Sequence, residues 1–208
     1  MKTLFLIFCA CFSICALHAQ DDRFTGAMLA NLEKWKTAST TENFQQLANA
    51  FERIAQAEKT QWTPWYYAAF CNLSVNFKET DPTVKIRFIQ LAQKQIDNGL
   101  LIRPDETELM VLKIMSYYAE MAMDPMKALT LLGDANDLIE KAKSINPENP
   151  RIYLMQAEAT YGTPIEYGGG KEKAMPQLLL ASEKFSKFVP SDKLSPDWGK
   201  DRCESLMK

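Results

Sequence analysis

Three consecutive glycines followed by a lysine form the segment best suited to bind an anion. These residues are Gly168, Gly169, Gly170 and Lys171. A glycine run at a helix start can present backbone N–H groups and the positive end of the helix dipole to an anion. The motif of nucleotide-binding phosphate loops is absent, because Ile165 occupies its first glycine position and Glu172 its hydroxyl position. The run is therefore either a docking loop for an anion or carboxylate, or a tight turn whose glycines permit unusual backbone angles.

Tyrosines and one pair of charged residues are the second group of candidates, for contacts with a partner. Tyrosine combines a rigid apolar body with a polar tip, which suits recognition. Tyr118 and Tyr161 lie 43 residues apart, and Arg151 and Glu158 lie seven apart on one helical face. Packing between helices and a solvated helix face are the alternative interpretations. The candidate partner-binding residues are Tyr66, Tyr118, Arg151, Glu158 and Tyr161.

A dense group of methionines permits two interpretations. Methionine fills irregular cores, and it also adapts to varied partners at binding surfaces. We expect core filling here. The group consists of Met110, Met115, Met121, Met123 and Met126.

The residues needed for catalysis or metal binding are scarce. The only histidine is His18, in a segment that we expect to be removed, so nucleophile–imidazole pairs and imidazole metal sites are excluded. Asp134, Asp137 and Glu140 follow one helical stripe without the spacing of a calcium loop. We therefore expect no catalytic residue, no metal site and no cofactor, and hence a protein that is not an enzyme.

The N-terminus has the pattern of a secretory signal peptide. Lys2 precedes the apolar stretch 4–17, and Ala19 is the small residue that a signal peptidase needs. We expect residues 1–19 to be removed and the mature chain to be exported, most simply to a bacterial periplasm. The alternative is a lipoprotein cut before Cys11 or Cys15.

The chain beyond the signal peptide has few features that favour nucleic acid or membrane binding. The net charge of the full chain is −2, and its basic residues are scattered, so we expect no nucleic-acid partner. No remaining apolar run reaches the roughly 20 residues that span a bilayer. Cys71 and Cys203 could pair in an oxidising compartment or serve as two small buried hydrophobes.

A pattern of small and bulky residues recurs every 42 or 43 residues and indicates how these side chains are positioned. A repeat of this size is typical of stacked helix pairs that bury their apolar faces against each other. The three clear copies are Ala50-x3-Ile54-x2-Ala57, Ala92-x3-Ile96-x2-Gly99 and Ala135-x3-Ile139-x2-Ala142, with a degraded fourth copy at Leu178, Ser182 and Phe185.

Helical periodicity and capping residues place the helices. Apolar residues at helical spacing predict helices near 24–37, 41–59, 64–78, 82–101, 105–123, 125–145, 150–161, 171–188 and 196–207. Five of the starts are expected where a capping side chain precedes a proline, which fits the first helical position. These pairs are Thr63-Pro64, Asp81-Pro82, Asp124-Pro125, Asn149-Pro150 and Ser195-Pro196. Asp105 with Glu108 predicts a capping box for a sixth start.

The repeat resembles the second helix of a tetratricopeptide repeat (TPR). The matching residues are Ala135, Ile139, Ala142 and Pro147, and Tyr153 and Ala157 resemble the next first helix. The stride near 43 is longer than the usual 34. The resemblance implies an all-α fold over residues 20–208, an α-solenoid of about four antiparallel helix pairs with a C-terminal capping helix.

Two functions remain open from the sequence. By analogy with TPR proteins, the first is an exported, non-catalytic protein that binds a protein or peptide, or assists assembly, through its concave face. The second is a small-molecule-binding component associated with solute uptake, with a pocket bounded by aromatic residues and the glycine loop.

Overall fold

The computed structural model describes residues 22–208, and the regular elements in this range are all helical. The predicted signal peptide, with His18, lies outside the described residues. The α-helices are α1 (22–37), α2 (Thr41–Ala57), α3 (Thr63–Lys78), α4 (Pro82–Ile102), α5 (Thr107–Met123), α6 (Ala128–Ile145), α7 (Pro150–Gly162), α8 (Lys171–Lys187) and α9 (Lys200–Met207). Short 3-10 helices at Pro125–Lys127 and Ile165–Tyr167 precede α6 and α8.

Three of the predicted capping residues act as predicted. The Asp81 carboxylate accepts a hydrogen bond from the Thr83 N–H at 2.8 Å, and the Asn149 side chain accepts from the Arg151 N–H at 3.0 Å. Asp124 accepts from the Met126 N–H at 3.2 Å and so starts the 3-10 turn before α6. Each bond satisfies an N–H that has no partner within its own helix.

The other three predicted starts are wrong in detail. Thr63 is already the first residue of α3, and no side chain caps that helix. Glu106 rather than Asp105 caps α5 by accepting from the Glu108 N–H, and the Glu108 side chain bonds to Arg151 instead of completing a capping box. Ser195-Pro196 begins no helix: the last helix starts at Lys200, and the Pro196 carbonyl accepts a hydrogen bond from Arg151.

The helices stack as a repeat array. Each helix from α2 to α8 packs against the next one, and α3 also contacts α5, which in turn contacts α7. Because α3, α5 and α7 are the first helices of successive pairs, residues one period apart lie side by side. The resulting core is continuous, and the small repeat positions Ala92, Ala135 and Ala142 are fully buried within it.

The first copy of the repeat departs from this pattern. Ala50, Ile54 and Ala57 line a cavity of about 950 Å³ between α1 and α2 instead of being buried. Within residues 22–208 this first helix pair has a neighbouring pair on one side only, so its outer positions have fewer packing partners there.

A crossing segment, residues 188–199 between α8 and α9, lies against the face formed by α3, α5 and α7. Trp198 stacks on Phe70 of α3 with 5.0 Å between ring centroids, and the Tyr67 hydroxyl donates to the Leu194 carbonyl at 2.9 Å. A solenoid would present this face as its concave groove. Here the chain's own C-terminal region covers it.

Two helical glycines provide a test of the packing between repeats. A Cβ on Gly99 would lie 2.8 Å from the buried Leu109 side chain, whereas a Cβ on Gly133 would have no atom within 4 Å. We expect Gly133→Ala to raise the free energy of unfolding by about 0.5–1 kcal/mol through helix propensity. Gly99→Ala should lower it by about 1–3 kcal/mol through overpacking. Urea unfolding of both variants measures these changes, and equal stabilisation by both would contradict the close packing at Gly99.

Candidate functional site

A largely apolar cleft of about 1060 Å³ lies beside the ends of α5 and α7. The start of α6, the α7–α8 loop and α9 complete its walls. The residues that line it are Tyr118, Met121, Ala122, Pro125, Met126, Ala128, Leu129, Leu132, Glu158, Ala159, Tyr161, Gly162, Thr163, Pro164, Tyr167, Arg202 and Leu206. We refer to this set as the cleft.

Several large apolar side chains in the cleft are exposed to solvent. Met126 is 92% exposed, Leu129 87% and Tyr167 78%. They come from two chain segments, the start of α6 with the turn before it and the α7–α8 loop, and they line one opening. Contiguous exposed apolar surface of this kind marks a place where a ligand or another molecule binds.

The α5–α6 connection is held in place by polar bonds. Lys127 donates to one oxygen of Glu120 at 2.7 Å, and Gln93 donates to the other at 2.8 Å. The hydrogen bond from Lys127 lowers the pKa of Glu120, followed by that from Gln93. These bonds tie the Pro125–Lys127 turn to α5 and α4, and so fix the position of Met126 at the cleft.

The polar groups of the cleft include an ion pair and a tyrosine hydroxyl that has no hydrogen-bond partner. Arg202 of α9 donates from Nη2 to the Glu158 carboxylate of α7 at 2.8 Å, and its Nε faces the other oxygen. Burial raises the pKa of Glu158 despite the nearby guanidinium. The Tyr118 hydroxyl is buried without a hydrogen-bond partner, and desolvation raises its pKa. The Tyr118 side chain is therefore a neutral phenol whose hydroxyl is buried at the wall of the cleft.

The glycine loop does not offer its glycine amides to an anion. The Gly168, Gly169 and Gly170 N–H groups donate to the carbonyls of Ile165, Pro164 and Thr160 at 2.9–3.1 Å. Gly168 and Gly170 have φ values of 83° and 97°, and a Cβ on Gly169 would lie 2.1 Å from the Thr163 carbonyl oxygen. The structure thus favours the tight-turn interpretation. The turn leads from the cleft wall into α8, whose first residue is Lys171.

The structure brings three of the five candidate partner-binding residues together in the cleft, namely Tyr118, Glu158 and Tyr161. Tyr66 and Arg151 are elsewhere, fully buried beneath the crossing segment. A partner could reach them only if that segment moved away, so we do not include them in the candidate site.

Arg151 belongs instead to a buried polar network. Its Nη1 donates to Glu108 at 3.1 Å and its Nη2 to the Pro196 carbonyl at 2.6 Å, while Asn149 donates to Glu108 at 2.9 Å. The Arg151 guanidinium lies 4.6 Å from the Phe188 ring centroid and 5.5 Å from that of Trp198. The Trp198 indole in turn donates to the Tyr66 hydroxyl at 2.6 Å. This network fastens the crossing segment to α3, α5 and α7.

Sequence reasoning missed several cleft residues. The sequence spacing of Met126, Leu129 and Tyr167 does not distinguish residues that line a cleft from residues of a core. The density of methionines in this part of the chain was nevertheless a usable signal. Met110 and Met115 of that group are buried as expected, whereas Met121 and Met126 line the cleft. Arg202 could have been found as a cation 44 residues after Glu158, close to one repeat period.

Other classes of site are not seen among residues 22–208. None of the helices there is long and apolar enough to cross a membrane. The same residues contain no group of three or more His, Cys, Asp or Glu side chains arranged to hold a metal ion. Cys71 and Cys203 are both buried free thiols, and burial raises the pKa of Cys71.

Comparison with known proteins finds similarity among solved structures. No protein-family model matches the sequence, and no curated protein does. Among solved structures, the HusA haemophore from Porphyromonas gingivalis aligns with 88% of this chain and 90% of its own, at a TM-score of 0.77 and 26% sequence identity. The similarity confirms the predicted all-helical class and relates the chain to a binding protein. The likeness to TPR proteins remains a resemblance.

The buried network predicts an unusual pH dependence. Burial raises the pKa of Glu108 from 4.5 to about 7, although Arg151 acts in the opposite direction. Between these values the folded protein holds a proton that the unfolded chain has lost, so ionisation of Glu108 reduces stability as pH rises. The quantity to compare is the free energy of unfolding of the wild type minus that of Glu108→Gln. We expect this difference to fall as pH rises from 4.5 to about 7, by at most about 1.4 kcal/mol per pH unit. Denaturant titrations at several pH values measure it. A difference that grows with pH would show that the attraction of Arg151 outweighs burial.

Proposed function

We propose that this protein is an exported tetrapyrrole-binding protein that holds haem or a related porphyrin in the cleft. The observation that carries the proposal is the large apolar cleft in a chain that aligns over most of its length with a haemophore. Export is part of the proposal and rests on the predicted signal peptide. The proposal takes up the small-molecule alternative that the sequence left open.

The dimensions and chemistry of the cleft suit a planar, mostly apolar ligand. Pockets for small molecules usually enclose about 300–1,000 Å³ and are lined by apolar and aromatic side chains with a few polar groups. The cleft, at about 1060 Å³, is slightly larger than the upper end of that range. Tyr161 and Tyr167 offer ring faces for stacking, and Leu129 and Leu132 offer aliphatic contacts.

Any bond from this cleft to haem iron would have to use oxygen or sulfur. Haem iron is held in proteins by histidine, cysteine, methionine or tyrosine. The lining contains three tyrosines and two methionines, and neither histidine nor cysteine is among them. The raised pKa of Tyr118 disfavours a phenolate at that residue. We propose that contact between the apolar lining and the ring system supplies most of the affinity.

Peptide binding, the other function expected from the sequence, has less support. Its groove would be the face formed by α3, α5 and α7, and the crossing segment covers that face with Trp198 and Pro196. A peptide could dock there only after this segment and its hydrogen bonds were displaced.

Two exposed leucines give a matched test of the proposed site. Leu129 lies in the cleft and is 87% exposed, whereas Leu101 lies outside it and is 82% exposed. We expect the mature chain to bind haem and protoporphyrin IX with a stoichiometric end point in absorbance and tryptophan-fluorescence titrations. Leu129→Glu should weaken both at least about tenfold, because it places a charge against the apolar ligand. Leu101→Glu should leave both unchanged.

Two outcomes would contradict the proposal. Absence of saturable binding of either compound by the folded wild type would exclude tetrapyrrole binding. If Leu129→Glu and Leu101→Glu weakened tetrapyrrole binding equally, the ligand would be bound by exposed apolar residues in general and not specifically by the cleft.

A further inference from the structure

Two charged side chains lie among the described residues of the cleft wall, and they bind each other. Arg202 projects from α9, and Glu158 from α7. Both elements reach the cleft beside the phenol of Tyr118. Every other residue of the lining is apolar or uncharged.

The two side chains of this ion pair differ in solvent exposure, and the Arg202 guanidinium is accessible to a ligand. The Glu158 side chain is 13% exposed, whereas that of Arg202 is 42% exposed. A guanidinium carries five N–H donors in a planar fork, and the contacts with Glu158 use the Nε edge and one Nη2 hydrogen. The Nη1 side of the fork therefore remains open to a further acceptor.

We propose that Arg202 binds a carboxylate of the cleft ligand and thereby fixes its orientation, with the acidic edge at α9 and the apolar body against α5 and α6. This inference rests on the proposed function and extends it, since it specifies a ligand with at least one free carboxylate. Arginine–carboxylate hydrogen bonds are charge-assisted and directional, and a single such group on an apolar wall discriminates between orientations.

Glu158 acts as the positioning residue for this contact. Its two oxygens face Nε and Nη2, so the plane of the guanidinium is set before a ligand arrives. The Arg202 guanidinium also lies 5.7 Å from the ring centroid of Phe77, which restricts it from a second side. A preset fork loses less freedom on binding than a free side chain would.

The experiment compares protoporphyrin IX with its dimethyl ester, which has the same ring but no ionised carboxylate. Dissociation constants are measured by fluorescence titration for the wild type, Arg202→Met and Lys200→Met. Lys200 is an exposed lysine on the same helix and does not line the cleft, so Lys200→Met removes the same charge without the contact.

The wild type and Lys200→Met should both bind the acid about tenfold or more tightly than the ester, and Arg202→Met should bind the two with equal affinity. Arg202→Met leaves Glu158 without its cation. The double variant Glu158→Gln/Arg202→Met, which leaves no lone carboxylate, is therefore measured beside it and should likewise show no preference.

The possible failures are distinguishable. If the wild type binds the acid and the ester equally, or if both Arg202 variants keep the preference for the acid, the inference about Arg202 is wrong while the cleft stands. If Lys200→Met loses the preference for the acid over the ester as fully as Arg202→Met does, the preference comes from general attraction to positive charge and not from a specific contact with Arg202. If the folded wild type binds neither compound, the proposed function itself fails.

Discussion

The buried ion pair between Glu108 and Arg151 is the interaction on which the rest of the structure depends. Arg151 is fully buried, and one of its remaining bonds goes to the carbonyl of Pro196. Taking two charges out of water is costly, and the cost is offset only when the partners and their further hydrogen bonds are well placed. The pair thus links α5 to α7, because separating them would leave a buried charge unpaired, and the bond from Arg151 to the Pro196 carbonyl ties the crossing segment to both helices.

The bonds of this ion pair determine which surface of the repeat array is accessible to a ligand. The crossing segment is held on the face formed by α3, α5 and α7, where repeat proteins often bind their partners. After the crossing segment, the chain enters α9 at Gly199, and α9 brings Arg202 and Leu206 to the cleft. The same segment that covers the groove therefore places the helix that completes the cleft.

The repeat period explains contacts that single residues did not reveal. Equivalent helices of successive pairs lie near each other, so residues about 43 apart can bond: Glu108 and Arg151 are 43 apart, Glu52 and Gln95 are 43 apart, and Glu158 and Arg202 are 44 apart. Complementary polar residues one period apart were a signal present in the sequence. Arg151 and Glu158 were instead considered as one face of a single helix, whereas each has its partner on another helix.

Local patterns in the sequence determined the helices, several of their caps and the repeat, because periodicity, proline and capping residues act over a few neighbouring positions. Asp81, Asp124 and Asn149 cap as predicted, and the small residues at Ala92, Ala135 and Ala142 are buried. Only the tertiary structure decided that Tyr66 and Arg151 are internal while Tyr118, Glu158 and Tyr161 share a cleft with Met126 and Leu129. The physical reason is that exposure depends on what the distant chain covers, and here residues 188–199 cover one face of the stacked helices and leave the other site open.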